Sequence, residues 1–107
     1  MMKEMQLQDI SMESFFEEYE QKFKAVADKK RLQIMNILTQ QGAICVCDLA
    51  EIVGMTQSKL SYHLKILLDA NIIKKETNGT WSYYELNQEE LNHLFSHDLC
   101  RIFKPNC

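Results

Sequence analysis

Apolar side chains recur every three or four residues through most of the chain, switch to alternation near the end, and then switch back. Phe15, Phe16, Tyr19, Phe23 and Val26 share one stripe, and that period predicts an amphipathic helix over residues 11–27. Ser11 can cap it, with Ser14 and Glu17 offering a capping box one turn later. A second helix starts after Asp28, carries Leu32, Met35 and Leu38, and stops at Gly42. A short third helix covers residues 46–53 and ends at Gly54. Thr56 caps a fourth, in which Leu60, Leu64, Leu67 and Leu68 form a core face. Residues 72–75 and 81–86 then read as strands with Asn78-Gly79 at the turn, a dipeptide that suits a tight hairpin because both residues tolerate φ > 0. A last helix spans residues 88–103, with Leu91, Leu94, Phe95, Leu99 and Ile102 on one side and Pro105 beyond its end.

The succession is helix, helix, short helix, tight turn, helix, hairpin, helix. It predicts a mainly α fold with a β-hairpin wing: a winged helix-turn-helix with one helix added at each end. A length of 107 residues fits one such domain over 1–107, with 1–10 as a flexible N-terminal arm and 104–107 as a C-terminal tail. The apolar stripes of helices 11–27 and 88–103 are wider than so small a domain covers by itself. They predict a homodimer through the N- and C-terminal helices.

Composition changes this picture little. Hydrophobic residues make up 46% and charged residues 25%, the balance of an ordinary globular protein. No apolar run reaches the roughly 18 residues of a membrane span, and Glu4, Asp9 and Glu13 sit where a signal peptide would be apolar. A cytoplasmic protein without a membrane partner is expected.

Charge changes it more. The net charge of −3 argues against a nucleic-acid partner until it is divided along the chain. Residues 1–20 hold one lysine and six acids, whereas residues 57–75 hold four lysines and one acid. In a helix-turn-helix the second helix enters the major groove by its N-terminal residues. Here those are Gln57, Ser58, Lys59, Ser61, Tyr62 and His63. Gln57 can pair with adenine, and the serines can serve bases or phosphates. Lys65 lies further along and would position the backbone. Lys74, Lys75, Thr77, Asn78 and Gly79 would lie over a neighbouring groove. Double-stranded operator DNA is therefore the expected partner. The chain has no phosphate-cradling glycine loop, no Cys-x-x-Cys pair and no nucleophile with a base and an orienting group, so an enzyme is not expected.

Four cysteines remain to be explained. Cys45 and Cys47 are too close in sequence to bridge each other without strain. They sit where the third helix begins, where peptide dipoles favour negative charge, and thiolates are soft ligands that select thiophilic ions. Positions i and i+2 lie about 200° apart around a helix. Both sulfurs can hold one ion only if Cys45 precedes the helix or the first turn unwinds. Oxidation of the same pair is the competing chemistry. Cys100 lies in the apolar run Leu99-Cys100-Arg101-Ile102, and Cys107 ends the chain. His93 and His97, four apart on one helix face, could bind a metal.

Ile44-Cys45-Val46-Cys47-Asp48-Leu49 resembles the metalloid box of the ArsR/SmtB family. Gln57-Ser58-Lys59-Leu60-Ser61-Tyr62-His63-Leu64-Lys65 resembles its recognition helix, and Gly79-Thr80-Trp81-Ser82-Tyr83-Tyr84 its wing. The resemblance covers about residues 19–103. It implies a dimeric repressor with no obligatory cofactor, released from DNA by As(III) or Sb(III) as inducer. Three thiolates hold arsenite in the family, and Cys45 and Cys47 match the box. Some members place the third at a position that is Ala50 here. Cys100 is the preferred replacement, with Cys107 or a hydroxide as alternatives. Cadmium-sensing relatives add N-terminal cysteines that residues 1–44 lack, and zinc-sensing relatives carry Asp-x-His where this chain has Gln88-Glu89-Glu90. The expected function is a metalloid-responsive repressor; the alternatives are a thiol-based redox sensor or a Cd, Pb or Zn sensor on the same scaffold.

Overall fold

A computed structural model describes the backbone of residues 2–95 and the side chains of residues 12–95. His97, Cys100, Cys107 and the expected helix beyond residue 95 lie outside the described residues. The first helix, α1 (Met2–Val26), begins well before Ser11. The helix thus includes residues 2–10, ahead of the start expected at Ser11. The physical reason is local: Met2, Lys3, Glu4, Met5, Gln6 and Leu7 are strong helix formers, with no glycine or proline among them.

Helix α2 (Lys29–Gln41) starts where expected, with Asp28 in an extended conformation as its N-cap. Its carboxylate accepts from the Arg31 N–H at 3.0 Å. That hydrogen bond holds the Asp28 carboxyl below its ordinary value of 3.8. Removing the cap by Asp28→Ala should cost about 1 kcal/mol. Because the folded pKa is depressed, this contribution is present above that ordinary value and is lost as pH falls through the folded one. Denaturant titrations at neutral and strongly acidic pH check it, and the gap between wild type and variant should close in acid.

A two-residue strand, β1 (Ile44–Cys45), leads directly into α3 (Val46–Val53). Gly54 closes α3 in the left-handed conformation at φ 73° and donates its N–H to the Ala50 carbonyl, which makes the sharp exit a glycine permits. Thr56 caps α4 (Gln57–Asp69), its hydroxyl oxygen accepting from the Lys59 N–H at 3.2 Å. The hairpin β2 (Ile73–Asn78) and β3 (Trp81–Leu86) follows, and then α5 (Gln88–Leu94).

Two features of the sheet differ from expectation. Asn78 pairs with Trp81, so the loop residues are Gly79 and Thr80, one place further on than Asn78-Gly79. Gly79 takes φ 67°, and Thr80 is not among the residues with positive φ. A glycine at the first central position alone is the pattern of a II′ turn, which needs no second left-handed residue. The other feature is β1. It pairs antiparallel with β3, Ile44 opposite Tyr84 and Cys45 opposite Tyr83, giving a sheet of order β1-β3-β2. The run Ile44-Cys45-Val46 behind Gly42 was its only sequence signal.

The core gathers Ile34 and Leu38 from α2, Leu49 from α3, Leu60, Leu64 and Leu67 from α4, and Ile72, Ile73, Tyr84 and Leu86 around the sheet. Ala25 of α1, Ile44 of β1, Ala50 of α3, Ala70 at the end of α4 and Leu94 of α5 complete it. Leu32 does not join it and is 52% exposed. The 100° step of a helix that buries Ile34 and Leu38 turns Leu32 outward. Helix α1 is tied to the end of α4 by buried Lys22, whose Nζ donates to the Ala70 carbonyl at 2.9 Å and pairs with Glu90 of α5 at 3.5 Å. Gln21 adds a bond to the Asp69 carbonyl at 3.0 Å. A cation at a helix C-terminus satisfies carbonyls that the helix itself cannot.

Candidate nucleic-acid interface and thiol site

Helix α4 has two faces. Leu60, His63, Leu64 and Leu67 are buried, while Gln57, Ser58, Lys59, Ser61, Tyr62 and Lys65 are exposed. Of the side chains expected to read DNA, all but His63 lie open. His63 is a correction. Its Nδ1 receives a hydrogen bond from Arg31 Nη1 at 3.1 Å. Arginine can only donate, so Nδ1 accepts and the ring proton sits on Nε2. The same guanidinium donates from Nε to the Ala25 carbonyl at 2.6 Å. Arg31 and His63 form a strut between the first turn of α2 and the middle of α4, which fixes the angle of the reading helix. Periodicity could have shown it, since residues 60, 63, 64 and 67 share one face.

Tyr62 is 63% exposed and stands edge-on to the His63 ring, with centroids 5.2 Å apart. Lys65 pairs with Asp69 at 3.3 Å, and Lys74 with Glu85 at 3.8 Å. Both pairs are exposed and so contribute little to stability, leaving the lysines available to a phosphate. Lys75 lies over the Tyr84 ring at 5.9 Å from its centroid. Asn78 is exposed at the end of β2, beside the hairpin tip.

The thiols occupy different surroundings. Cys45 is the N-cap residue of α3, extended at φ −77° and ψ 157°, and its side chain makes no capping bond. It thus precedes the helix, the first of the two geometries the spacing allows. It is 8% exposed and lines a cleft of about 350 Å³ with Asp48, Glu51, Ile52 and Tyr83. Cys47 lies in the first turn of α3 and is exposed. Its Sγ accepts from Gln57 Nε2 at 3.7 Å. The two cysteines therefore adjoin different parts of the fold: Cys45 pairs through its backbone with Tyr83 of the wing strand, and Cys47 Sγ meets the start of α4. Among the described residues no group of three His, Cys, Asp or Glu side chains could hold a metal. His93 is exposed, and its backbone carbonyl accepts a long bond of 3.5 Å from the Tyr19 hydroxyl.

The Tyr83 and Gln57 contacts were not legible beforehand. The first depends on β1, and the second joins two helices across a turn.

Comparison with known proteins fits this arrangement. The family profile described as "Bacterial regulatory protein, arsR family" matches residues 28–75, the span from the α2 cap into the wing. The arsenical resistance operon repressor of Bacillus subtilis (strain 168) is 65% identical over 96 residues, covering 90% of this chain and 91% of that protein. The homodimeric winged helix-turn-helix DNA-binding domain of a possible ArsR-family regulator from Mycobacterium bovis superposes with a TM-score of 0.72 at 27% identity, over 86% of this chain and 82% of that one. The antimony-specific transcriptional repressor AntR gives 0.58 at 32% identity, over 78% and 76% of the two chains. An identity of 65% across nine-tenths of the chain, on a winged helix-turn-helix built as described, means that the chain belongs to the arsR family of bacterial regulatory proteins, a family of regulators and not of enzymes.

Proposed function

We propose that the protein is a metalloid-responsive repressor that binds operator DNA as a homodimer in the cytoplasm and dissociates when As(III) or Sb(III) binds its cysteine thiols. The observation that carries this reading is the contact between Cys47, at the start of α3, and Gln57, the first residue of the reading helix. A thiophilic ligand there acts on the DNA-reading element directly, without a long-range pathway. The names of the relatives point the same way, toward arsenical and antimony repressors.

Cys45 and Cys47 are the proposed ligands, with Cys100 as the preferred third and Cys107 as the alternative. Each thiol that replaces a hydroxyl of As(OH)₃ forms an As–S bond, breaks an As–O bond and releases water with the thiol proton, so no oxidant or reductant is consumed. Cys45 precedes the helix, buried, and Cys47 lies exposed in its first turn beside Gln57, so holding one ion with both sulfurs would draw the buried and the exposed side chain toward a common point. That convergence strains either the β1–β3 pairing at Tyr83 or the contact at Gln57. The ligand then favours a state other than the DNA-competent one and shifts the population away from DNA.

The DNA surface proposed is Gln57, Ser58, Lys59, Ser61, Tyr62 and Lys65 of α4, with Lys74, Lys75 and Asn78 of the wing. The dimer surface comprises α1 and α5, where Phe16 and Phe23 of α1 and Phe95, the C-cap residue of α5, are 47%, 42% and 69% exposed. Aromatic rings left that open on two neighbouring helices are costly to leave wet. A two-fold axis through them would present two α4 helices to successive major grooves. Among the described residues no helix is long and apolar enough to cross a membrane.

Binding of the reduced protein to a duplex it selects from a random library, followed by fluorescence anisotropy, tests the reading. Affinity should fall steeply with salt, because phosphate contacts release counterions, and stoichiometric arsenite should release the duplex. Release by peroxide in place of arsenite would assign the thiols to redox sensing. Release by cadmium or zinc alone would assign them to divalent ions.

A further inference from the structure

We infer that Cys47 has a second role in the absence of any inducer: it orients Gln57 to read a base, which makes it a positioning residue for DNA sequence selectivity. This rests on the DNA-binding function proposed above and deepens it. The amide of Gln57 has two N–H donors and one acceptor oxygen. One donor is engaged by Cys47 Sγ at 3.7 Å. The other donor and the oxygen remain, the pair that a glutamine offers to N7 and N6 of adenine in the major groove. A glutamine at the exposed N-terminus of a helix otherwise samples several rotamers, and fixing it costs side-chain entropy on binding. A bond to a sulfur on the neighbouring helix removes part of that cost before DNA arrives. It also selects the amide face presented to the groove.

Both side chains are exposed, so substitution at either leaves the core untouched. The consequence for induction follows from the same atom. A sulfur bonded to arsenic has given up lone-pair density and moved toward its new partner, so it is a poorer acceptor for Gln57. The thiol that senses is then the thiol that aims the reading side chain.

The test uses the full reduced protein, a duplex selected by the wild type from a random library, and variants of that duplex changed at one base pair at a time. Gln57→Ala should flatten discrimination at one base pair of each half-site by about tenfold. Cys47→Ala should flatten the same base pair, and Cys47→Ala/Gln57→Ala should be no flatter there than Gln57→Ala alone, since both act through one contact. Cys47→Ser, which keeps an acceptor oxygen, should restore part of the preference. A merely structural role for Cys47 would weaken all duplexes alike, and that result overturns the inference. So does wild-type discrimination retained at every position by Cys47→Ala. If the wild type selects no duplex at all, the DNA-binding function fails first and the inference fails with it.

Discussion

Serine at both position 45 and position 47 is expected to abolish the response to arsenite. In the wild type, coupling between inducer and DNA should fall in the usual range for linked sites, weakening DNA binding by about 5- to 150-fold when arsenite is saturating. In Cys45→Ser/Cys47→Ser the ratio of the two affinities should collapse to about one. The reason is ligand chemistry. A hydroxyl is a hard, weakly acidic donor that does not replace a thiolate on a thiophilic ion. Serine also keeps an acceptor oxygen near Gln57, so the variant's own DNA affinity, whatever its starting value, is read as the reference for its ratio. Single variants should lie between, because a chelate that loses one arm loses most of its effective concentration. Anisotropy titrations with and without arsenite measure the ratio. A double variant that still responds would place the ligands outside the α3 start.

The second large effect separates the two faces of α4. Leu64 is 1% exposed in the centre of the core, and Tyr62, two residues earlier, is 63% exposed. Leu64→Ala should cost about 2–5 kcal/mol, the transfer term plus a cavity that the rest of the core cannot wholly fill. For a domain of this size that lowers the thermal midpoint by roughly 10–25 °C. Tyr62→Ala should leave the midpoint nearly unmoved and instead weaken DNA binding. Thermal melts at one fixed protein concentration, which an oligomer requires, and DNA titrations read the two effects separately. A stable Leu64→Ala would contradict the packing described, and a Tyr62→Ala with unaltered DNA affinity would remove that ring from the interface.

Much of the helical fold was legible because its stops and caps are local. Asp28, Gly42, Gly54 and Thr56 act within one turn of themselves, so their chemistry can be read from neighbours in sequence. The limits of α3 and α4 followed from them. Elements whose existence depends on distant partners were harder. β1 is two residues long and owes its pairing to Tyr83 and Tyr84, nearly forty residues away. The turn slipped by one residue because register is decided by which hairpin residues pair, and Gly79 can serve either the I′ or the II′ solution. At the candidate site, residue types pointed to thiol chemistry and to a groove-reading helix, but nothing in the spacing tied one to the other. The bond from Gln57 to Cys47 crosses between helices. Likewise, His63 was grouped with its polar neighbours by residue type, although its position on the Leu60–Leu64 face marked it as inward. The resemblance to the family supplied the metalloid; the residues alone gave only soft ligands.

Release of DNA by a metalloid requires a coupling between thiols and DNA, and linkage makes that coupling reciprocal. Arsenite affinity of the reduced protein should therefore be measured with and without a saturating amount of its selected duplex. DNA should weaken arsenite binding by the same factor by which arsenite weakens DNA binding. An arsenite affinity that DNA leaves unchanged would contradict this coupling, even if both ligands bind.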